Sequence, residues 1–117
     1  MNGSDPQLDA IAEKIGLTRA ERHLFLCPGP DCCSMEHGRE TWEALKEKLA
    51  TAGLPVLRSK AACFRICCHG PVLVVYPEGV WYREVTPQKL DRIIRQHLVG
   101  GKPVEEWVFA RHPLTGG

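Results

Sequence analysis

The chain has 117 residues, with 15 Lys and Arg against 14 Asp and Glu, and six cysteines. That length holds one domain with a modest core, and the balanced charge argues against a nucleic-acid binder, which needs a basic excess or a basic face. No apolar run approaches a membrane span. The opening MNGSDPQLDAIAEKIG lacks the basic start and apolar centre of a secretory signal, so a soluble cytoplasmic protein is expected.

In chain order, residues 5–16 predict a short helix. Asp5 caps it, Pro6 suits its first position, Gly16 suits its stop, and Leu8, Ile11 and Ile15 share one face. Thr18 to Glu21 has capping-box spacing for a further turn, and residues 1–22 read as an appendage to the domain that follows. HLFLC at 23–27 predicts a buried strand ending in a cysteine, and the Pro and Gly residues of PGPD then enforce a loop. From Glu40 to Ala52, Trp42, Leu45, Leu49 and Ala52 mark one helical face, with Gly53 as the stop. PVLRS at 55–59 predicts a second strand. Further on, VLVVYP and VWYREV flank Pro77-Glu78-Gly79 and predict a hairpin. Thr86 and Pro87 open a helix whose inner side carries Leu90, Ile93, Ile94, His97 and Leu98, and Gly100-Gly101 closes it. PVEEWVF is expected to add an edge segment, and residues 110–117 a flexible tail. The order β-α-β-loop-β-β-α predicts a small α/β sandwich.

The cysteines fall in two clusters, CPGPDCCS at 27–34 and AACFRICCHGP at 61–71. An even count suits disulfides in small secreted chains, whereas in a reducing compartment this density points to metal or redox chemistry. Four thiolates suit either Zn²⁺ or an iron–sulfur centre. The spacings match no zinc knuckle, no plant or bacterial ferredoxin run and no C-x-x-C redox pair. Cys63 and Cys67, at i and i+4, converge on one side if their loop makes a helical turn, and Cys68 then points about a hundred degrees away. Cys32 and Cys33 diverge in the same way, so one of them is spare. Four candidate ligands remain: Cys27, one of Cys32 and Cys33, Cys63 and Cys67.

HLFLC…CC, ETWEALKEKL and KAACFRICCHGPVLVVYPEGVWYREVTPQKLDRIIRQHLVGGKPVEEWVF together resemble the thioredoxin-like 2Fe-2S ferredoxins, a family related to a subunit of NADH dehydrogenases and hydrogenases. The likeness spans residues 23–109, the expected domain. It implies a thioredoxin-like α/β sandwich with a mixed sheet of four to five strands, a homodimer, and one-electron transfer to redox partner proteins rather than enzymatic catalysis. It also implies a 2Fe-2S cluster near the surface on four cysteines, two per iron. Family ligands carry onto Cys27, Cys63 and Cys67. Counting back from the helix at Arg39-Glu40 puts the remaining ligand on Cys33, while counting forward from Cys27 puts it on Cys32; Cys33 is favoured, because a loop between cysteines changes length more easily than the lead-in to a helix.

Two rival readings use the same thiols: a structural zinc module, and a thiol–disulfide exchanger on a thioredoxin-like scaffold. The vicinal pairs suit the second poorly, since adjacent cysteines close only a strained ring. Cys68 departs from the family pattern, and its plainest reading is a small hydrophobe. His37 and His69 flank the clusters, but no spacing there requires imidazole. Trp81 and Tyr82 suit either the core or a subunit interface. Arg58, Lys60 and Arg65 give the second loop a positive flank that suits either solvation or the steering of an acidic redox partner.

Overall fold

The computed structural model describes residues 3–114. Five strands form one mixed sheet in the order β2-β1-β3-β4-β5. Strand β1 (Arg22–Cys27) runs parallel to β2 (Val56–Lys60), and β3 (Val72–Tyr76), β4 (Val80–Tyr82) and β5 (Val108–Arg111) follow antiparallel. A parallel pair needs a crossover, which helix α2 (Met35–Ala52) provides. Helix α3 (Pro87–Arg92) runs on without a break into a π-helical stretch, Ile93–Val99. This is the α/β sandwich expected from the sequence.

Alternate strand residues decide the two faces. Leu24, Leu26, Leu73, Val75, Val80 and Tyr82 point to one side, where Leu45 and Leu49 of α2 and Leu90, Ile93 and Ile94 of the C-terminal helix complete the core. Each fully buried Leu or Ile there is worth about 1.5–3 kcal/mol of transfer free energy. On the other face, Phe25, Val74 and Trp81 stand in register across three strands. The second cysteine loop folds over that face, with the Phe64 ring edge-on to Trp81 at 5.2 Å and Phe109 beyond it at 6.5 Å.

Local chemistry explains where expectation and structure part. Asp5 caps α1 (Pro6–Ile15), accepting from the N–H groups of Gln7 and Leu8, yet no residue of α1 is buried. The turn expected at Thr18–Glu21 does not form; the Glu21 N–H instead donates to the Pro55 carbonyl at 2.8 Å and leads straight into β1. Helix α2 starts at Met35 rather than near Glu40, because the Ser34 hydroxyl accepts the His37 N–H and starts the helix earlier. The flexible tail expected from residue 110 is also corrected. β5 continues to Arg111, and His112 and Leu114 donate to the carbonyls of Gly79 and Pro77, at 2.8 and 3.1 Å, so the hairpin turn holds the chain end. The rest of that expected tail, residues 115–117, lies outside the described residues.

Candidate functional site

The first cysteine loop leaves the end of β1, where Cys27 pairs with Val72 and is buried. Two glycines press α2 against it. A Cβ on Gly38 would stand 1.7 Å from the Pro28 carbonyl oxygen, and one on Gly29, at φ 91°, would stand 2.6 Å from that of Cys33. Only glycine allows so close an approach. Cys32 lies buried in the fold of this loop, its Sγ 3.0 Å from Cys27 Sγ and 4.0 Å from that of the half-buried Cys33. Burial, followed by the hydrogen bond and charge of Cys27, pushes the Cys32 thiol up to about 12. Burial likewise raises Cys33.

The second loop is not the helical turn that the i, i+4 spacing suggested. Its backbone is irregular, with Arg65 at φ 66° and His69 at φ 54°. Cys63 and Cys67 nevertheless meet, and their mutual hydrogen bond raises the Cys67 thiol, to which the Asp31 charge of the first loop adds. The Arg65 N–H donates to Cys63 Sγ at 3.1 Å. Cys63, Cys67 and Cys68 are all exposed. Gly70 clamps the loops together, its N–H donating to the Cys32 carbonyl at 2.9 Å, and a Cβ there would stand 2.5 Å from Cys32 Sγ.

The thiols thus stand in two sets, Cys27 with Cys32 and Cys33, and Cys63 with Cys67. Among the described residues no single point gathers three or more metal-binding donors. Thiols paired on two touching loops are the donor chemistry that a two-iron cluster takes, two per iron. His37 contributes its backbone N–H to the α2 cap, and the His69 ring faces Glu84 at 3.9 Å.

A polar chain that the sequence reading missed runs beneath the sheet. The Val104 N–H donates to the Tyr82 oxygen at 3.0 Å, which leaves the Tyr82 hydroxyl to donate to His97 Nδ1 at 2.8 Å. His97 Nε2–H then donates to Glu78 Oε2 at 3.0 Å, and Arg22 donates to the same oxygen at 2.9 Å. The neutral imidazole satisfies every one of these bonds. Burial holds His97 below its ordinary value, with Glu78 opposing. Burial also works against ionisation of Glu78, but hydrogen bonds from Arg22, its own backbone and His97 outweigh it and keep the carboxyl below the usual range. A histidine inside the apolar stripe of the last helix was the only signal of this chain in the sequence.

No family model matches the chain. A 2Fe-2S ferredoxin of Aquifex aeolicus is 37% identical over 105 residues, covering 81% of this chain and 95% of that protein. One from Clostridium pasteurianum is 32% identical over 98 residues, covering 76% and 96%. The solved structure of a thioredoxin-like [2Fe-2S] ferredoxin from Aquifex aeolicus covers 84% of this chain and 98% of its own, at a TM-score of 0.72 and 34% identity. Identity and coverage of this extent, with the same fold, show that the chain belongs to the thioredoxin-like 2Fe-2S ferredoxin family.

Proposed function

We propose that this chain is a one-electron carrier, not an enzyme, that holds a single 2Fe-2S cluster on Cys27, Cys33, Cys63 and Cys67. In this reading it works in the cytoplasm as a homodimer and exchanges electrons with a reductase or oxidoreductase. The observation that carries it is 37% identity across 95% of a 2Fe-2S ferredoxin, in a chain whose free thiols sit on two clamped loops. A bound cluster supplies reversible one-electron chemistry, and the protein supplies thiolates, burial and hydrogen bonds to sulfur. Cys27 shields one side of the site from water, while exposed Cys63 and Cys67 leave the other within reach of a partner. The Arg65 N–H at Cys63 is of the kind that tunes a cluster's potential. These relatives favour neither the zinc module nor the thiol–disulfide exchanger.

The choice of Cys33 is supported by its place directly before the Ser34 cap, where the start of α2 holds it. The 3.0 Å approach of Cys32 to Cys27 supports Cys32 as the alternative. The homodimer is supported by Trp81 and the exposed Phe109 on the helix-free face beside edge strand β5. Among the described residues no helix is long and apolar enough to cross a membrane.

Anaerobically purified protein is expected to be red-brown, with about two irons and two acid-labile sulfides per chain, and to bleach with dithionite. Cys33→Ser should alter the visible spectrum and Cys32→Ser leave it unchanged; the reverse would move the ligand to Cys32. Light scattering on the same sample should give twice the chain mass. A folded, colourless protein from iron-replete cells would overturn the ferredoxin reading.

A further inference from the structure

Beside the first cysteine loop lies a groove of about 320 Å³ lined by Pro28, Gly29, Met35, Arg39, Trp42, Glu43 and Lys60. Its cations are gathered around one ring. Arg58 and Lys60, two apart on β2, both lie over the Trp42 ring, at 5.6 and 5.4 Å from its centroid. Neither they nor Arg39 enter an ion pair among the described residues, and, unlike the other cations without a carboxylate, these three stand together at one groove. Trp107 provides an internal contrast. It also carries two cations, Lys89 and Arg92, but Arg92 is bound by Glu106 at 2.7 Å. The acid that lines the groove, Glu43, is held by Lys46 at 3.1 Å.

We propose that this groove, between Trp42 and the edge strand β2, is the docking seat for an acidic face of the protein with which the chain exchanges electrons. The proposal rests on the electron-carrier reading and names the chemistry of its partner. Trp, Met and Arg are the side chains enriched in interface cores, and Trp and Arg lead among binding hot spots. Met35 here is 61% exposed, so the groove offers an apolar seat within a ring of unspent cations. Pro28 and Gly29, which floor it, directly follow Cys27, and Gly29 packs on the Cys33 carbonyl. A partner seated there touches the first cysteine loop. Its carboxylates replace the missing counter-ions, and opposite charges raise the association rate by about 10- to 1,000-fold at low salt.

Two measurements on the holoprotein test this. In the first, poly-L-glutamate is titrated against tryptophan fluorescence, with poly-L-lysine as the control polymer. Poly-L-glutamate should bind and poly-L-lysine should not. Binding should weaken about tenfold or more as ionic strength rises from about 0.01 to 0.1 M, which shortens the Debye length from about 30 to about 10 Å. Arg58→Gln/Lys60→Gln should abolish it, and Lys89→Gln, at the Trp107 site, should leave it intact. In the second, the dithionite-reduced protein passes one electron to ferricyanide, giving ferrocyanide. Poly-L-glutamate should slow this several-fold in the natural chain and not in the double variant. Equal binding and equal rates in both, with the visible spectrum intact, would overturn the docking seat and leave these cations as protection of a bare strand edge. A colourless protein that still binds poly-L-glutamate at Arg58 and Lys60 would instead overturn the carrier reading while keeping an acid-binding groove. Should the double variant misfold, Lys60→Gln alone serves, with a smaller loss expected.

Discussion

The two ends of strand β1 treat their polar groups in opposite ways. At its start, Arg22 enters a closed chain in which Glu78, His97, Tyr82 and Val104 satisfy one another, with Glu78 Oε1 the one buried side-chain oxygen or nitrogen left unpartnered among the described residues. At its end, Cys27 opens onto two loops whose thiols find chiefly one another, with Gly29, Arg65 and His69 at positive φ and Arg65, Cys63, Cys67 and Cys68 facing water. The first arrangement spends its hydrogen-bonding capacity on the fold. The second holds it in reserve, in a geometry that only neighbouring loops maintain, and reserve of that kind is what a cofactor and a partner can use. Stability and function are therefore kept apart along one strand.

The largest effect should come from breaking the clamp at the cysteine end. Gly70→Ala puts a methyl carbon 2.5 Å from Cys32 Sγ and 2.7 Å from its Cβ, so one loop must move. Most of the iron and sulfide should be lost while far-ultraviolet circular dichroism stays native; full cluster retention would show that the loops are not held together there. A smaller and opposite pattern is expected at the other end. Tyr82→Phe leaves the Val104 N–H buried without an acceptor and His97 Nδ1 without a donor, at a cost of about 1–3 kcal/mol in unfolding free energy. The visible spectrum should not change, and a loss of cluster with Tyr82→Phe would break the separation drawn between the two ends.

The smallest effect is acid sensitivity of the closed chain. His97 is held below its ordinary value of 6.5, so the unfolded chain binds the proton first, and stability present above that value falls as pH drops below it. Glu78, held below its ordinary value of 4.5, adds a loss of the same sign at lower pH, as the medium falls through its folded-state value. The melting temperature should therefore fall on acidification below pH 6.5, and His97→Leu should flatten the fall. An equally steep decline in His97→Leu would assign the acid response to other groups.

Much of the fold is legible because its signals are local. Thr86 and Pro87 open α3, Gly53 closes α2, and the apolar runs at 23–27 and 72–76 form the central strands. What went unread involves residues far apart in the chain. Glu78 serves in the expected hairpin turn, and nothing in its neighbours announces that its carboxylate reaches His97 and Arg22. Gly38 and Gly70 resemble ordinary glycines until Pro28 and Cys32 are brought against them. The i, i+4 spacing of Cys63 and Cys67 suggested a helical turn, but the loop end is anchored through His69 and Pro71, whose carbonyls accept the N–H groups of Glu84 and Val85, and the chain between takes positive φ at Arg65 and His69, which a helical turn does not allow.

The sequence by itself determined the number and order of elements, the thiol inventory and the family, because caps, alternation and ligand chemistry act over a few residues. Tertiary structure alone decided which thiols meet, which histidine is locked neutral and which cations are left without a counter-ion. Those outcomes depend on contacts between segments that chain distance keeps apart, and only packing of the helices and the second cysteine loop against the sheet brings them together.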